Sequence, residues 1–164
     1  MAMVDHDRAV MAAARMGVSK SKDNDAKLGE LAVVVGMLAA CDAGSPFTQE
    51  TLKRIFGFTF GWLMRLGHRR PQSAINDERD RQDKLFVEGK ILFNCASPVA
   101  DFNRKLRVLV EEVGEVAQAI DKVEWSESRG AGGDASIWRK ELKTELTQVA
   151  AVVAGWLESY EVKK

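Results

Sequence analysis

The stretch LVEEVGEVAQAID, residues 109–121, decides the fold expected for this chain of 164 residues. Its apolar residues recur every three to four positions, which is the period of an amphipathic α-helix. At about 100° per residue, the expected core face of this helix holds Leu106, Leu109, Val110, Val113, Ala117 and Ile120. Glu112 and Glu115 lie together on a different face, with the apolar Val108 and Ala119 between them. Glu111 lies at the outer edge of that second face.

A second helix with the same design is predicted in KELKTELTQVAAVVAGWLE, residues 140–158. Its core face is expected to hold Leu142, Leu146, Val149, Val153 and Trp156. Glu141, Glu145 and Gln148 lie on one flank, beside Val152 and Gly155. If the two helices pack in antiparallel fashion, the oxygen atoms of both flanks come together.

Carboxylates that are forced together repel one another unless they are protonated or share a cation. Oxygen-only ligands favour Mg²⁺, with Mn²⁺ as a second option, and both ions keep coordination positions open for phosphate oxygens. The alternative is an ordinary solvated helix face, on which the glutamates pair with Arg104, Arg107 or Lys122 at helical spacing. Both interpretations are open at the level of the residues alone.

Composition predicts an all-α protein. The chain has only three prolines, and its long segments are rich in Ala, Leu, Val, Glu and Lys, which favour helices. Six helices are predicted. Four cover residues 5–16, 28–41, 75–88 and 100–123. The other two are expected to be capped by Ser45 or Thr48 and to run to about residue 67, and to be capped by Asp134 or Ser136 and to run to about residue 161. The aromatic residues between 55 and 66 are expected to pack in the core.

Several functional classes are disfavoured by the same sequence. Lys and Arg total 24, as do Asp and Glu, so no net charge favours a nucleic-acid polymer or an anionic membrane as partner. Cys41 and Cys95 form no CxxC pair, and His6 and His68 are too few for a histidine-rich metal site. The N-terminus lacks the features of a signal peptide, and the apolar runs are too short to span a bilayer. A cytoplasmic protein is therefore expected.

The acidic pattern resembles that of the MazG-like nucleotide pyrophosphohydrolases, of the all-α NTP pyrophosphatase superfamily. Their pattern is EExxE, a spacer and ExxD, which here reads Glu111, Glu112 and Glu115, then Glu145 with Gln148 in place of the usual Asp. INDERDRQDKLF, residues 75–86, is similar to the ER-x-RQ helix that precedes the acidic helix in many small members. Because Gln148 lacks a negative charge, we expect fewer metal ions or weaker binding.

The resemblance covers roughly residues 73–161. It implies a helical bundle of the all-α NTP pyrophosphatase type, completed by dimerisation, with residues 71–164 as the pyrophosphohydrolase core and residues 1–70 as an N-terminal helical extension. A homodimer or a dimer of dimers is expected, with the N-terminal helices extending the interface. Residues 1–70 match nothing in the family.

The implied activity is hydrolysis of a (deoxy)nucleoside triphosphate to the monophosphate and pyrophosphate, in control or cleaning of the nucleotide pool. Mg²⁺ would be bound by Glu112, Glu115, Glu145 and Gln148, and would lower the pKa of a bound water. Glu112 or Glu115 would act as the general base. Candidate ligands of the substrate are Arg79, Arg81, Gln82 and Lys105, with Asn103 as a weaker one. Trp125, Trp138 and Phe86 are available to hold the base, although core packing is the simpler interpretation of each.

Other functions fit the same residues. The stretch RGAGGD, residues 129–134, is not a phosphate-binding loop of the Walker type, because no Lys-Ser/Thr follows it and no strand precedes it. It is interpreted as a mobile connection that could close over substrate. A non-catalytic helical interaction protein with a decayed site is the main alternative. A dUTPase-type or phosphoribosyl-ATP pyrophosphohydrolase-type enzyme is another.

Overall fold

Five α-helices form the part of the chain that the structure, a computed structural model, describes, namely residues 24–43, 45–130 and 132–161. The helices are α1 (Asn24–Ala39), α2 (Pro46–Arg65), α3 (Pro71–Val87), α4 (Phe102–Ser128) and α5 (Gly132–Glu161). No strand occurs within these ranges, so the predicted all-α class is confirmed. The helix predicted over residues 5–16 lies outside the described residues.

Helix α5 is the centre of the bundle, because it packs against α2, α3 and α4. The predicted core face of α5 is confirmed, since each of its members is at most 1% exposed: Leu142, Leu146, Val149, Val153 and Trp156. Phe102, at the start of α4, meets the ring of Trp156 edge-on, with 5.3 Å between centroids. Helix α1 covers the opposite side of the bundle and packs against α2 and α4. The proposed domain boundary near residue 70 stays a prediction.

Helix α2 begins where the sequence predicts a cap. The Ser45 side chain accepts a hydrogen bond from the Thr48 backbone N–H at 3.2 Å, and Pro46 occupies the first turn, where its missing N–H costs nothing. The aromatic residues of α2 pack as expected, with Phe56 and Trp62 fully buried. Phe58 and Trp62 are in edge-to-face contact, with 5.9 Å between their centroids.

The predicted core face of α4 is confirmed in part, since Leu109 and Ile120 are buried and Leu106 and Val113 pack against the core, but it was wrong at Val110. Val110 is 52% exposed, whereas Val116 and Ala119 are fully buried. The reason is that α4 packs against both α5 and α1. Together these two helices bury a part of the α4 surface that lies closer to Glu112 than the predicted core face does. The two acids therefore do not lie on a separate second face. Glu112 is at the border of the core itself.

Four helix boundaries also differ from the prediction. Helix α1 begins at Asn24 and not at residue 28, and α3 begins at Pro71 and not at residue 75. Helix α4 continues to Ser128, and α5 begins at Gly132, so only residues 129–131 connect them. The sequence analysis left residues 124–136 largely outside the predicted helices. This segment is instead mostly helical: Ser126 and Ala135 are buried within it, and Val123 is buried just before it. This turn is too short to form a large lid over a substrate.

The described helices contain none that is long and apolar enough to cross a membrane. Cys41 and Cys95 are both free thiols, and burial raises the pKa of Cys95 to about 12. The outer side of α1 is unusually apolar: Val33 is 65% exposed, Met37 is 38% exposed, and Ala32, Gly36 and Ala40 beside them are exposed as well.

Candidate metal centre

Three carboxylates converge where α4 packs against α5. Because only residues 129–131 join these helices, they run side by side in opposite directions. Glu112 and Glu115 of α4 and Glu145 of α5 each contribute an oxygen atom, and these atoms all lie within 4.8 Å of one another. The pairing of the two acidic flanks that the sequence predicts is therefore present in the fold. We call these three residues the acidic cluster.

Glu112 is the innermost member of the cluster. Its Oε2 atom is buried and has no hydrogen-bond partner among the described residues. Burial, followed by the charges of Glu115 and Glu145, raises the pKa of Glu112 to about 7. A buried carboxylate oxygen without a partner is costly to the folded chain, and a proton or a cation would remove that cost.

Glu145 is half-buried on the facing helix. Burial, a side-chain hydrogen bond with Glu115 and the charge of Glu115 raise the pKa of Glu145 to about 7. The two carboxylates repel each other, and a proton or a cation between them would relieve that repulsion. Gln148 donates from Nε2 to Glu145 Oε2 at 2.6 Å, which places it beside the cluster.

The solvated-face interpretation is not supported by the contacts. Among the described residues, none of Glu111, Glu112 and Glu115 forms an ion pair. Lys122, one of the expected partners, instead pairs with Glu141 across the two helices. The guanidinium group of Arg104 lies over the ring of Phe93, 4.8 Å from its centroid. Within the described residues, no cation therefore forms an ion pair with the acidic cluster, although the charges of Arg81 and Lys122 act on it from a greater distance.

Helix α3 brings two of the predicted substrate ligands close to the cluster. Arg81 donates two hydrogen bonds of 2.7 Å to the carboxylate of Glu78. These hydrogen bonds, followed by the charges of Glu78 and Glu112, raise the pKa of Arg81. Gln82 donates to Glu78 at 3.0 Å and accepts from Arg79 at 3.2 Å. Glu78 thus accepts hydrogen bonds from both Arg81 and Gln82, and its charge acts on Glu112 of the acidic cluster.

Arg79 has a different environment from Arg81. It is 6% exposed, and its Nη2 atom donates to Asp83 and Glu158, each at 3.0 Å. Its guanidinium group lies against Gly155, where a Cβ atom would come within 3.0 Å of the Arg79 Cζ atom. The structure therefore uses Arg79 to fasten α3 to the last turns of α5 and does not present it as an uncompensated cation.

Lys105 is also placed away from the acidic cluster. It lies two helical turns before Glu112, about 10 Å along the axis, and it is 3% exposed. Its Nζ atom donates to Ser159 Oγ at 2.6 Å. Together with Phe102, Trp156 and Tyr160 it lines a small cavity of about 130 Å³. Asn103 is exposed on the neighbouring part of α4.

The candidate aromatic residues are less buried than core packing predicts. Trp125 is 54% exposed and Phe86 is 42% exposed, so core packing was wrong for these two. The guanidinium group of Arg129 lies 4.3 Å from the centroid of the Trp125 ring. Trp138 is half-buried, and Lys122 lies 5.1 Å from its ring centroid.

Three residues near the cluster were missed in the sequence. Glu78 is one, and its side chain is only 14% exposed. Lys140 and Lys143 are the others, and they line a groove between α3 and α5 that also includes Arg81 and Gln148. The lysines could have been noticed, since residues 140, 143, 144 and 147 fall on one side of a helix. The Glu78 side chain points toward the cluster because of the way in which α3 packs, and no local sequence pattern reveals that packing.

The donor set of the cluster fits a small hard cation. All three groups offer carboxylate oxygens, which Mg²⁺ prefers, and ligands at about 2.1 Å from Mg²⁺ lie at most about 4.2 Å apart. The 4.8 Å spread of the cluster would need to close by roughly half an ångström to meet this geometry. The unpartnered Oε2 of Glu112 is the atom that gains most from such an ion.

Comparison of the chain with models of known protein families, with curated protein sequences and with solved structures finds no match.

The raised pKa of Glu112 predicts how the metal-free protein responds to pH. A carboxyl whose folded pKa of about 7 exceeds its ordinary value of 4.5 stabilises the fold only while protonated, so this stability is lost as the pH rises from 4.5 through 7. Glu112→Gln should therefore raise stability at pH 8 by about 1–2 kcal/mol, after allowance for solvent screening, with little effect at pH 4.5.

The measurement is thermal unfolding in chelator at both pH values. Glu50→Gln, which removes an exposed glutamate of α2, is the matched control and should follow the unchanged chain. If Glu112→Gln and the unchanged chain lose the same stability between the two pH values, Glu112 is not a group whose pKa is raised by folding.

Proposed function

We propose that this protein is a Mg²⁺-dependent nucleoside triphosphate pyrophosphohydrolase of the MazG-like type, which releases a nucleoside monophosphate and pyrophosphate. The observation that carries the proposal is the acidic cluster, in which Glu112, Glu115 and Glu145 meet without any neutralising ion pair to Glu112 or Glu115. The packing of α4 against α5 holds these three carboxylates together at the border of the core. Mg²⁺ would supply the positive charge that these carboxylates need and would at the same time bind the anionic triphosphate.

The three carboxylates have different accessibility, which suggests different roles. Glu112 and Glu145 are partly buried and face each other across the helices, so they are suited to hold Mg²⁺, with Gln148 beside them. When bound there, Mg²⁺ would neutralise phosphate charge and lower the pKa of water. Glu115 is exposed, and we assign to it the orientation of the attacking water, whose proton it accepts.

The proposed reaction breaks one phosphoanhydride bond. Water attacks the α-phosphorus, a new P–O bond forms, and the bond to the oxygen that bridges the α- and β-phosphates breaks. The electron pair of that bond leaves with pyrophosphate, and the proton of the water passes to the carboxylate of Glu115. The balance requires no oxidant, reductant or second substrate.

The first test is hydrolysis of a panel of (d)NTPs with Mg²⁺, with pyrophosphate and orthophosphate measured separately. We expect pyrophosphate as the product and a loss of roughly 10²–10⁴ in kcat for Glu115→Gln, as for removal of a general base. Glu112→Gln should lower activity as strongly and also weaken Mg²⁺ binding. Glu50→Gln should act like the unchanged chain.

The outcomes of this assay separate the proposed function from its alternatives. No pyrophosphate from any nucleotide, or release that is insensitive to Glu112→Gln, would reject the enzyme and favour a non-catalytic interaction protein. Activity restricted to dUTP, or to phosphoribosyl-ATP when that compound is added to the panel, would favour the corresponding enzyme type. Orthophosphate as the first product would mean attack at a different phosphorus.

Gln148 gives a second prediction about the metal. Gln148→Asp adds a carboxylate next to Glu145, so Mg²⁺ affinity should rise by roughly tenfold if position 148 is a ligand. Gln148→Asn has the same side-chain length without the charge and serves as the control. Calorimetric titration with Mg²⁺ measures both variants, and equal affinities would place residue 148 outside the coordination sphere.

A homodimer, or a dimer of dimers, is part of the proposal, and the exposed apolar side of α1 supports it. Val33 and Met37 lie there beside Gly36, and apolar surface of this kind is commonly covered by a partner. We expect light scattering to give at least twice the mass of one chain, and Val33→Lys to reduce it. Val87→Lys, at a still more exposed valine of α3, should leave the mass unchanged. A monomer at all concentrations would contradict this part.

A further inference from the structure

We propose that Glu78 is a positioning residue: it holds the guanidinium group of Arg81 beside the acidic cluster, where the outer edge of that group binds a phosphate of the Mg²⁺-bound substrate. The inference rests on the proposed function and deepens it, because it assigns the recognition of a phosphoanhydride to a pair of side chains on α3. The sequence identifies Arg81 as a candidate ligand of the substrate, but it does not identify the residue that orients it.

The contact between Glu78 and Arg81 fixes the plane of the guanidinium group. The Nε and Nη2 atoms of Arg81 donate to different oxygens of the Glu78 carboxylate, each at 2.7 Å. Two parallel, charge-assisted hydrogen bonds define the orientation of an arginine as well as its position. Within the described residues, Arg81 has no other hydrogen bond or ion pair. A guanidinium group has five N–H donors, so the edge formed by Nη1 and Nη2 is left for another anion.

Glu78 is itself held by a chain of side chains that ends on α5. Gln82 donates from Nε2 to Glu78 Oε1 at 3.0 Å and accepts from Arg79 Nη1 at 3.2 Å. Arg79 is buried, and Glu158 fastens it to α5. Because each side chain orients the next, the position of the Arg81 guanidinium group is tied to α5 as well as to α3.

The two side chains differ in exposure in the way that positioning requires. The side chain of Glu78 is 14% exposed, whereas that of Arg81 is 55% exposed. The acid is therefore the support, and the arginine is the member that a ligand can reach. An isolated surface ion pair, which is the simpler interpretation, would leave both side chains exposed and would contribute little to stability.

Both groups lie on the side of α3 that faces the acidic cluster. Glu78 and Arg81 each interact electrostatically with Glu112. They also line the groove between α3 and α5 together with Gln148. On α5, Gln148 lies about 60° around the helix from Glu145, and its amide donates to that acid at 2.6 Å. The α3 side of the site is therefore formed by Glu78 and Arg81.

The hydrogen bonds of Glu78 distinguish it from a metal ligand. Its carboxylate accepts two hydrogen bonds from Arg81 and one from Gln82, so it offers few lone pairs to a cation. It is also not a member of the group of acids whose oxygen atoms lie within 4.8 Å of one another. Its role is therefore exerted through Arg81.

A phosphate is the ligand whose chemistry suits both Mg²⁺ and Arg81. Mg²⁺ keeps coordination positions for phosphate oxygens, and the edge of a guanidinium group offers two parallel N–H groups to a phosphate. Without a metal ion, the acidic cluster repels an anion. Arg81 should therefore bind phosphate strongly only when Mg²⁺ is present.

The test titrates the full chain with inorganic pyrophosphate at saturating Mg²⁺ in a calorimeter. Glu78→Gln and Arg81→Gln should each weaken binding by about tenfold. The double variant should bind no more weakly than Arg81→Gln, because changes that act through one contact are not additive. Glu127→Gln is the matched control: it also removes a glutamate that pairs with an arginine, Arg139, but about 18 Å further along α4 than Glu115.

Two further measurements separate positioning from a structural role and from metal ligation. In hydrolysis assays, Glu78→Gln should raise KM by about tenfold and change kcat by less than about threefold. Its melting temperature in chelator should not fall, because the change also removes a negative charge beside Glu112. Its Mg²⁺ affinity without pyrophosphate should change by less than about threefold, whereas loss of a ligand should lower it by roughly tenfold or more.

Several outcomes would overturn the positioning role. These are no binding of pyrophosphate by the unchanged chain, equally tight binding by Glu78→Gln, or additive losses in the double variant. A large fall in the melting temperature of Glu78→Gln would make Glu78 a structural residue. A Mg²⁺ affinity that falls as strongly in Glu78→Gln as in Glu112→Gln would make it a metal ligand.

Failure of the inference and failure of the proposed function are distinguishable. Hydrolysis to pyrophosphate with an unchanged KM in both single variants would reject the role of Glu78 and Arg81 and keep the enzyme. Mg²⁺-dependent binding of pyrophosphate that requires both residues, in a chain that hydrolyses no nucleotide, would reject the enzyme and keep the phosphate site.

Discussion

The packing of α4 against α5 is the contact on which the acidic cluster depends. The fully buried residues Leu109, Val116 and Ile120 on one helix and Leu142, Leu146 and Val149 on the other fix the register of the pair. That register places Glu145 opposite Glu112 and Glu115. Burial of apolar side chains of this size stabilises a fold by about 1.5–3 kcal/mol each, which is enough to hold together three carboxylates that would otherwise separate. The core thus imposes a repulsion, and a bound cation would relieve it.

The sequence predicted α5 better than α4, for a reason that lies in their neighbours. Helix α5 packs against α2, α3 and α4, so apolar residues on several of its sides are buried, including Ala150, Ala151 and Val152, and a core face predicted from Leu142 to Trp156 was bound to be covered. Helix α4 carries valines on more than one side. The choice between Val110 and Val116 as core residues depends on α1 and α5 together, and the contact with α1 cannot be deduced from the α4 sequence.

The acidic cluster was predictable because it depends on local spacing, whereas the cationic partners were not. Glu112, Glu115 and Glu145 are placed by helical geometry and by the antiparallel pairing of two consecutive helices. Whether an arginine is available to a ligand depends on which acids tertiary packing brings to it. Arg79 is fastened by Glu158, a residue 79 positions away, and Lys105 is buried against Ser159.

The three-residue connection between α4 and α5 has a consequence for how the acidic cluster arises during folding. All three of its carboxylates belong to one helical hairpin, residues 102–161, so closing a single short turn brings them together. Contacts that are local in sequence form early and at low entropic cost. The three carboxylates can therefore come together before α1 and α2 dock. Changes in the first seventy residues can therefore alter the unfolding rate of the protein and leave the spacing of the carboxylates unchanged.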